Sequence, residues 1–411
     1  MSMPDPAGLL EGHPGLATVL AVLDRDGEEA RIVGGAVRDW LLERGTRSDV
    51  DIATTARPEV VTARAGAAGL KCVPTGIEHG TVTVIAEGVP YEVTTLREDV
   101  ETDGRRAVVA FGRDWSHDAH RRDFTMNALY LTRGGDLVDL VGGVADARAG
   151  RVRFIGDADT RIREDYLRIL RLFRFHAAYG RGPLDEAALA AAVRGRAGLE
   201  GLSRERVRAE LVKLLVAPRA GETLAEMQAA GLLAPVLGRG EGAPVEVAAL
   251  ARLAEVEAIL GIAPDAMRRL GALAVRSSAD AAALKEVLRL SKAEATRLED
   301  MAGPAATPGM CEKGQKAALY RFGRTMFEDR ALIAFARSGA PLADAGWRAL
   351  AGLPARWAPP VFPLKAADFL ARGLAPGPAL GEALARAEAM WVEAGFPADA
   401  AALEGIVNAL V

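Results

Sequence analysis

Asp49 and Asp51 flank a single valine in the run Arg31 to Ile52, RIVGGAVRDWLLERGTRSDVDI. On a strand, alternate residues share a face, so both carboxylates project one way while Val50 and Ile52 project the other. They then stand about 7 Å apart along the chain. Beside a phosphate cradle, such a pair can hold divalent metal ions against a nucleoside triphosphate. A cradle is offered just upstream, where Gly34 and Gly35 permit a tight turn with close backbone approach. Arg38 lies in the helix expected from Ala36 to Leu42, whose free N–H groups can hold a phosphate. Taken singly, a Gly-Gly pair before a helix is most often only a turn, and Asp-x-Asp most often a solvated strand face or loop. In this order and spacing they point together to nucleotidyl transfer.

Two later runs carry comparable chemistry. His120 to Leu129, HRRDFTMNAL, puts Arg121 and Arg122 directly before Asp123, Thr125 and Asn127. It reads either as a guanidinium presented to a triphosphate or as a charged helix start capped by Asp123 or Thr125. In Arg161 to Phe175, RIREDYLRILRLFRF, Asp165, Arg168, Arg171 and Arg174 recur every three residues and fall near one helix face. Tyr166, Leu167, Leu170 and Phe173 cover the other side. An ordinary ion-paired surface helix is the plain alternative. Three like charges on one stripe repel by a few tenths of a kcal/mol per pair, roughly, and an anionic substrate would relieve that. Glu92 is a candidate third carboxylate, able to activate an attacking hydroxyl or share a metal; an exposed strand glutamate is the equal alternative. His117-Asp118 reads as loop decoration, and His79 as a turn residue.

The elements that must position these groups divide the chain in two. Leu16, Val19, Leu20 and Leu23 suggest a short helical lead-in. From Arg31 to about Val141 strands and helices mix, with a hairpin expected between Thr81–Ile85 and Tyr91–Leu96 across Gly88-Val89-Pro90. Arg97 to His120 is polar, poorly periodic and reads as a long functional loop. Beyond about Ala158 the pattern is helical almost throughout, broken near Gly180-Pro183, Pro218, Gly231, Gly242-Pro244, Gly303-Pro304, Pro354-Pro363 and Gly373-Pro378. The 411 residues suffice for two or more domains. A net charge of −4 excludes a globally basic nucleic-acid binder, so any such partner must meet the local arginine clusters between Arg97 and Arg174. Cys72 and Cys311 are too few and too far apart for a disulfide framework or thiolate metal site, which fits a reducing cytoplasm. The N-terminus lacks the pattern of a signal peptide, and no apolar stretch is long enough to span a membrane.

The ordered set GGAVRD, DVD, RRDFTMNAL and EDYLRILRLFRF resembles the class II tRNA nucleotidyltransferases, the CCA-adding enzymes, and their relatives the bacterial poly(A) polymerases. Arg204 to Leu211 resembles that family's ERxxxEL helical motif. The match spans about residues 31 to 215, and the remaining half carries no comparable motif. The resemblance implies an α+β fold: a polymerase-β-like nucleotidyltransferase head with a small mixed sheet, then an all-helical neck, body and tail. The expected boundaries are 1–145 for the head, 146–215 for a base-reading and RNA-binding neck, and 216–411 for a tRNA-binding body and tail. Asp49 and Asp51 would bind Mg²⁺, with Mn²⁺ as the alternative. Gly34, Gly35 and Arg38 would hold the phosphate end, and Arg122 would contact the nucleotide within a motif ordered by Asp123 and Asn127. Asp165 and Arg168 would read the base, with Arg171 and Arg174 completing the site.

Chemistry supports the base-reading role. An ionised carboxylate only accepts hydrogen bonds and a guanidinium only donates. C and A both present an exocyclic amine beside a ring-nitrogen acceptor, whereas U and G place a carbonyl where the carboxylate needs a donor. Each mismatch leaves buried polar groups unpaired at about 1–3 kcal/mol. The run Thr75 to Val84, TGIEHGTVTV, resembles the CCA-adding form, and the segment before His120 is not shortened as a CC-only enzyme would suggest. The expected activity is CCA addition to tRNA from CTP and ATP, with no membrane or protein partner implied. The alternatives are a poly(A) polymerase, a CC-only or A-only enzyme, and a small-molecule nucleotidyltransferase, which has no need of the Asp165/Arg168 pair. Asp49 and Asp51 argue against a catalytically silent RNA-binding homologue.

Overall fold

The computed structural model describes residues 3–45, 49–76, 80–103, 106–239 and 245–411. His79 and the break at Gly242-Pro244 lie outside these residues. The chain forms two compact units, Met1–Gly240 and Glu241–Val411. The first is built on a mixed seven-stranded sheet in the order β3-β4-β5-β2-β1-β8-β9. Its strands are β1 (Ala30–Val33), β2 (Asp51–Thr54), β3 (Lys71–Gly76), β4 (Thr81–Ala86), β5 (Val89–Thr95), β8 (Leu129–Thr132) and β9 (Leu137–Asp139). β2 and β5 run parallel; the other neighbours are antiparallel. The expected hairpin is β4–β5, closed by Glu87 (φ 50°) and Gly88 (φ 79°). Positive φ at both positions is the turn whose twist matches paired strands.

The lead-in helices are α1 (Ala7–Glu11) and α2 (Leu16–Leu23), and Leu16, Val19, Leu20 and Leu23 are all fully buried. Around the sheet lie α3 (Gly35–Leu41), α4 (Pro58–Ala67), α5 (Trp115–Arg121) and α6 (Gly143–Ala149). Within the segment expected as a loop from Arg97 to His120, β6 (Arg97–Asp103) and β7 (Arg106–Phe111) instead form a separate two-stranded ribbon ahead of α5. The ribbon's residues do not follow the apolar alternation of a half-buried sheet, and the Phe111 ring at its end packs against Gly80. Val33, Ala53, Leu96, Ala119, Ala128, Tyr130 and Ile155 form a core cluster joining β1, β2, β8 and α5.

Helices α7 (Ala158–Glu164), α8 (Leu167–Tyr179), α9 (Glu186–Arg194), α10 (Arg204–Leu215), α11 (Ala220–Ala229) and α12 (Leu233–Val236) finish the first unit. The helix expected to run unbroken through Asp165 is two helices. The Asp165 side chain accepts the Leu167 N–H at 3.1 Å and its carbonyl accepts the Arg168 N–H at 3.0 Å. A short acidic side chain bonding two residues ahead starts a new helix rather than extending the old one. The next residue, Tyr166, packs on bare backbone: a Cβ at Gly198 would come within 2.1 Å of its ring.

The second unit is helical, with a long helix Glu312–Ser338 interrupted at Gly323 (φ 73°, ψ 166°). Its buried charges are matched. Arg268 meets Glu257 and Asp329, each at 2.9 Å, and Arg269 meets Glu257 at 2.8 Å. Arg297 joins Asp329 at 2.8 Å and Asp265 at 3.1 Å. No helix among the described residues is long and apolar enough to cross a membrane.

Candidate active site

Thirteen residues singled out from the sequence line one cleft of about 830 Å³ in the first unit: Gly34, Gly35, Arg38, Asp49, Asp51, Glu92, Arg122, Asp123, Asn127, Asp165, Arg168, Arg171 and Arg174. At its sheet end, β2 begins at Asp51, so Asp49 and Val50 precede the strand rather than lying on it. Val50 is buried while both aspartates stay exposed, which keeps the carboxylates on the open side. Glu92 on β5 is the register partner of Asp51 across the parallel pairing. The surrounding cleft walls desolvate Asp51, and the Glu92 and Asp49 charges add to this, with Arg122 opposing; its pKa is pushed up to about 6. A carboxylate held this way gains from a cation beside it. Among the described residues no three His, Cys, Asp or Glu side chains make a metal-holding group. Asp49 and Asp51 are oxygen donors, the type that hard divalent cations such as Mg²⁺ take.

Gly34 (φ 78°, ψ −125°) turns the chain from β1 into α3, a conformation closed to residues with a side chain. Arg38, one turn into α3, is 5% exposed. Its Nε donates to Asp39 at 3.0 Å, Nη1 to Asn127 Oδ1 at 2.6 Å and Nη2 to the Tyr179 hydroxyl at 2.6 Å. It lies 3.9 Å above the Tyr179 ring. Every nitrogen of this guanidinium thus has a protein partner, and it ties α3 to α8.

The HRRDFTMNAL run is neither a bare arginine presentation nor a capped helix start. Arg121 closes α5, the chain bends at Asp123, Phe124 is extended and bridged to Phe154, and Thr125–Asn127 is a single 3₁₀ turn. Asp123 Oδ1 accepts the Phe124 N–H at 2.8 Å and Asn127 Nδ2 at 3.2 Å, while Oδ2 accepts Arg171 Nε at 2.6 Å. Burial alone would raise the Asp123 pKa, but Arg171 and these bonds outweigh it and hold it low. Arg122 donates to Asp118 through Nε (3.1 Å) and Nη2 (2.9 Å), and the Tyr130 hydroxyl donates to the same oxygen at 2.8 Å. Asp118 is 1% exposed and also takes Arg121 Nε at 2.8 Å. The residue read as loop decoration is the buried anchor of both arginines. Its signal was its position on α5, one turn before Arg122, which reading the region as loop concealed.

On the helical side each arginine has a carboxylate. Arg168 pairs with Glu164 and donates to the Arg161 carbonyl at 2.8 Å. Arg171 spans Asp123 and Glu210, and Arg174 pairs with Glu210. The like-charge repulsion argued from the stripe is therefore cancelled within the protein, by residues the pattern did not weigh. Asp165 and Arg168 do not pair with each other: Asp165 Oδ2 accepts Arg206 Nη2 at 2.6 Å. Arg206 and Lys213, both on α10, line the cleft without having been singled out for it.

A carboxylate pair at the start of the central strand β2, facing an arginine-lined helical wall across one cleft, is the arrangement of a polymerase-β-like nucleotidyltransferase fold. Comparison with known proteins narrows this. Residues 30–153 match the model "Poly A polymerase head domain" and residues 184–239 the model "Probable RNA and SrmB- binding site of polymerase A". Among relatives, "CCA tRNA nucleotidyltransferase 1, mitochondrial" of Danio rerio is 40% identical over 283 residues, 68% of this chain and 64% of that protein. The "CCA-adding enzyme" of Leuconostoc citreum is 43% identical over 223 residues, covering 53% of this chain and 52% of that one. The matches thus span from about half to just under two thirds of these curated relatives. The crystal structure of the Bacillus stearothermophilus CCA-adding enzyme in complex with CTP superimposes with a TM-score of 0.70 at 28% identity, covering 94% of this chain and 93% of that one. The chain thus carries matches to the head and RNA-binding models of the poly(A) polymerases and is similar in sequence and fold to CCA-adding enzymes.

Proposed function

We propose that this chain builds the 3′ end of tRNA without a template, adding C, C and then A from CTP and ATP. The observation that carries the reading is the meeting, in one cleft, of the Asp49/Asp51 carboxylates with the Asp165/Arg168 acceptor and donor. The names of the relatives and the CTP complex of the Bacillus stearothermophilus protein support it. Asp49 and Asp51 would hold Mg²⁺, with Mn²⁺ as an alternative; when bound, the metal lowers the pKa of the RNA 3′-hydroxyl and stabilises the leaving pyrophosphate. Glu92 would share this acidic edge or accept the hydroxyl proton. Arg122, fixed by Asp118, and the Gly34-Gly35 turn would position the phosphates so that the hydroxyl meets the α-phosphorus in line. Asp123 and Asn127 would brace Arg38 and Arg171. Asp165 would read the base with its plane fixed, since Leu167 and Arg206 each bond one of its oxygens. Arg168 is likewise oriented by Glu164 and the Arg161 carbonyl. This rigid acceptor–donor pair would take the amine edge of C or A and leave U and G with unmatched groups. Arg171 and Arg174 would close the nucleotide side of the cleft. In this reading residues 1–145 catalyse, 146–215 read the base, and 216–411 bind tRNA through phosphate and shape. The two free cysteines are compatible with a cytoplasmic setting.

The test is incubation with labelled CTP or ATP, Mg²⁺ and tRNAs ending before CCA, at CC, or complete. Completion to CCA followed by arrest is expected. A long A tail would favour the second reading, poly(A) synthesis, which the head-domain match supports; no incorporation would overturn both. In the same assay Asp165→Ala is expected to incorporate UTP while divalent-ion binding persists, and unchanged UTP rejection would remove Asp165 from base reading.

A further inference from the structure

The charges lining the cleft are unevenly compensated. Each of its six arginines has a carboxylate partner: Arg38 with Asp39, Arg122 with Asp118, Arg168 with Glu164, Arg171 with Asp123, Arg174 with Glu210 and Arg206 with Asp165. Lys213 differs. It is exposed, lines the same cleft, and among the described residues no carboxylate lies within ion-pair distance of it. The natural partner would be Glu210, one turn earlier on α10, where an i,i+3 pair is favoured. Glu210 is withheld because its buried carboxylate already takes Arg174 and Arg171. Lys213 is left as a flexible point charge aimed at the cleft, the form in which lysine binds phosphate.

We propose that Lys213 binds a backbone phosphate of the RNA acceptor end and so positions the 3′-hydroxyl. RNA rather than the nucleotide tail is favoured because Lys213 lies within residues 184–239, the segment matching the RNA-binding model, whereas the turn and carboxylates suited to a triphosphate lie between β1 and α3 and at the start of β2. The inference rests on the proposed function. Its test is equilibrium binding, without divalent ions or nucleotide, of a tRNA minihelix ending before CCA, across a salt series, for wild type, Lys213→Ala and Lys213→Arg. Binding of CTP is measured in parallel. Losing one contact to a single-stranded phosphate lowers the slope of log K against log salt by about 0.7, which is roughly a five-fold loss of affinity at 0.1 M salt. Lys213→Ala should show that loss, Lys213→Arg should restore most of it, and CTP affinity should not change. Unaltered minihelix binding by Lys213→Ala, or a loss confined to CTP, overturns the inference while the wild type still adds CCA. A wild type that neither binds the minihelix nor extends tRNA overturns the function and the inference together.

Discussion

Asp51 bears a cost that its role would explain. Its folded-state pKa, about 6, lies above the ordinary 3.8, so the folded chain favours the protonated carboxyl. The associated stability is intact below about pH 4 and is lost as pH rises through about 6. Above that range, without a cation, the ionised cleft edge works against folding. Asp51→Asn should therefore raise the melting temperature at pH 7.5 in chelator by about 1–3 °C, small because solvent reaches the group, while abolishing nucleotide incorporation. An unchanged or lower melting temperature would contradict this. Types and spacing were enough to pick out thirteen residues that the fold gathers into one cleft. They did not reach most of the partners, since Asp118, Glu164 and Glu210 neutralise arginines from positions whose meaning depends on how α5, α7, α8 and α10 pack.

The α5 helix shows how one buried charge fixes an element. Asp118 collects Arg121, Arg122 and Tyr130, and these outweigh the burial that would otherwise raise its pKa, leaving it lowered. Its contribution is thus full above about pH 4 and fades as pH falls through its depressed value. Asp118→Ala strands two guanidiniums and should cost about 3–5 kcal/mol in urea denaturation. A cost within the range of an ordinary surface substitution would show that α5 is held by its apolar contacts alone. At this scale the sequence spoke unevenly. The β4–β5 hairpin and the buried face of α2 followed from alternation and helical spacing. The β6–β7 ribbon did not, because its residues lack the apolar and polar alternation by which a strand is read. Nor did the break at Asp165, where one side-chain bond redirects the chain between two good helical patterns.

At the scale of the molecule, each unit has its own means of holding together. The cleft lies wholly within Met1–Gly240, while Glu241–Val411 buries a linked set of charges around Asp329. Asp329→Ala should destabilise the second unit by about 3–5 kcal/mol, by leaving Arg268 and Arg297 unmatched. Affinity for CTP should be unchanged, and a parallel loss of CTP binding would place the nucleotide site under the control of both units. The switch to continuous helical periodicity was legible in the sequence. The boundary of the compact units near Gly240 left no comparable mark, since α7 to α12 belong to the unit that holds the sheet. The pairing of every cleft arginine has one more consequence, which concerns turnover. A wall of bare guanidiniums would grip a triphosphate and a released pyrophosphate alike, and under the proposed addition of three nucleotides to one RNA it would stall the reaction on its own by-product. With most of that charge cancelled in place, the cleft can direct an anion without retaining it, and each cycle can clear before the next begins.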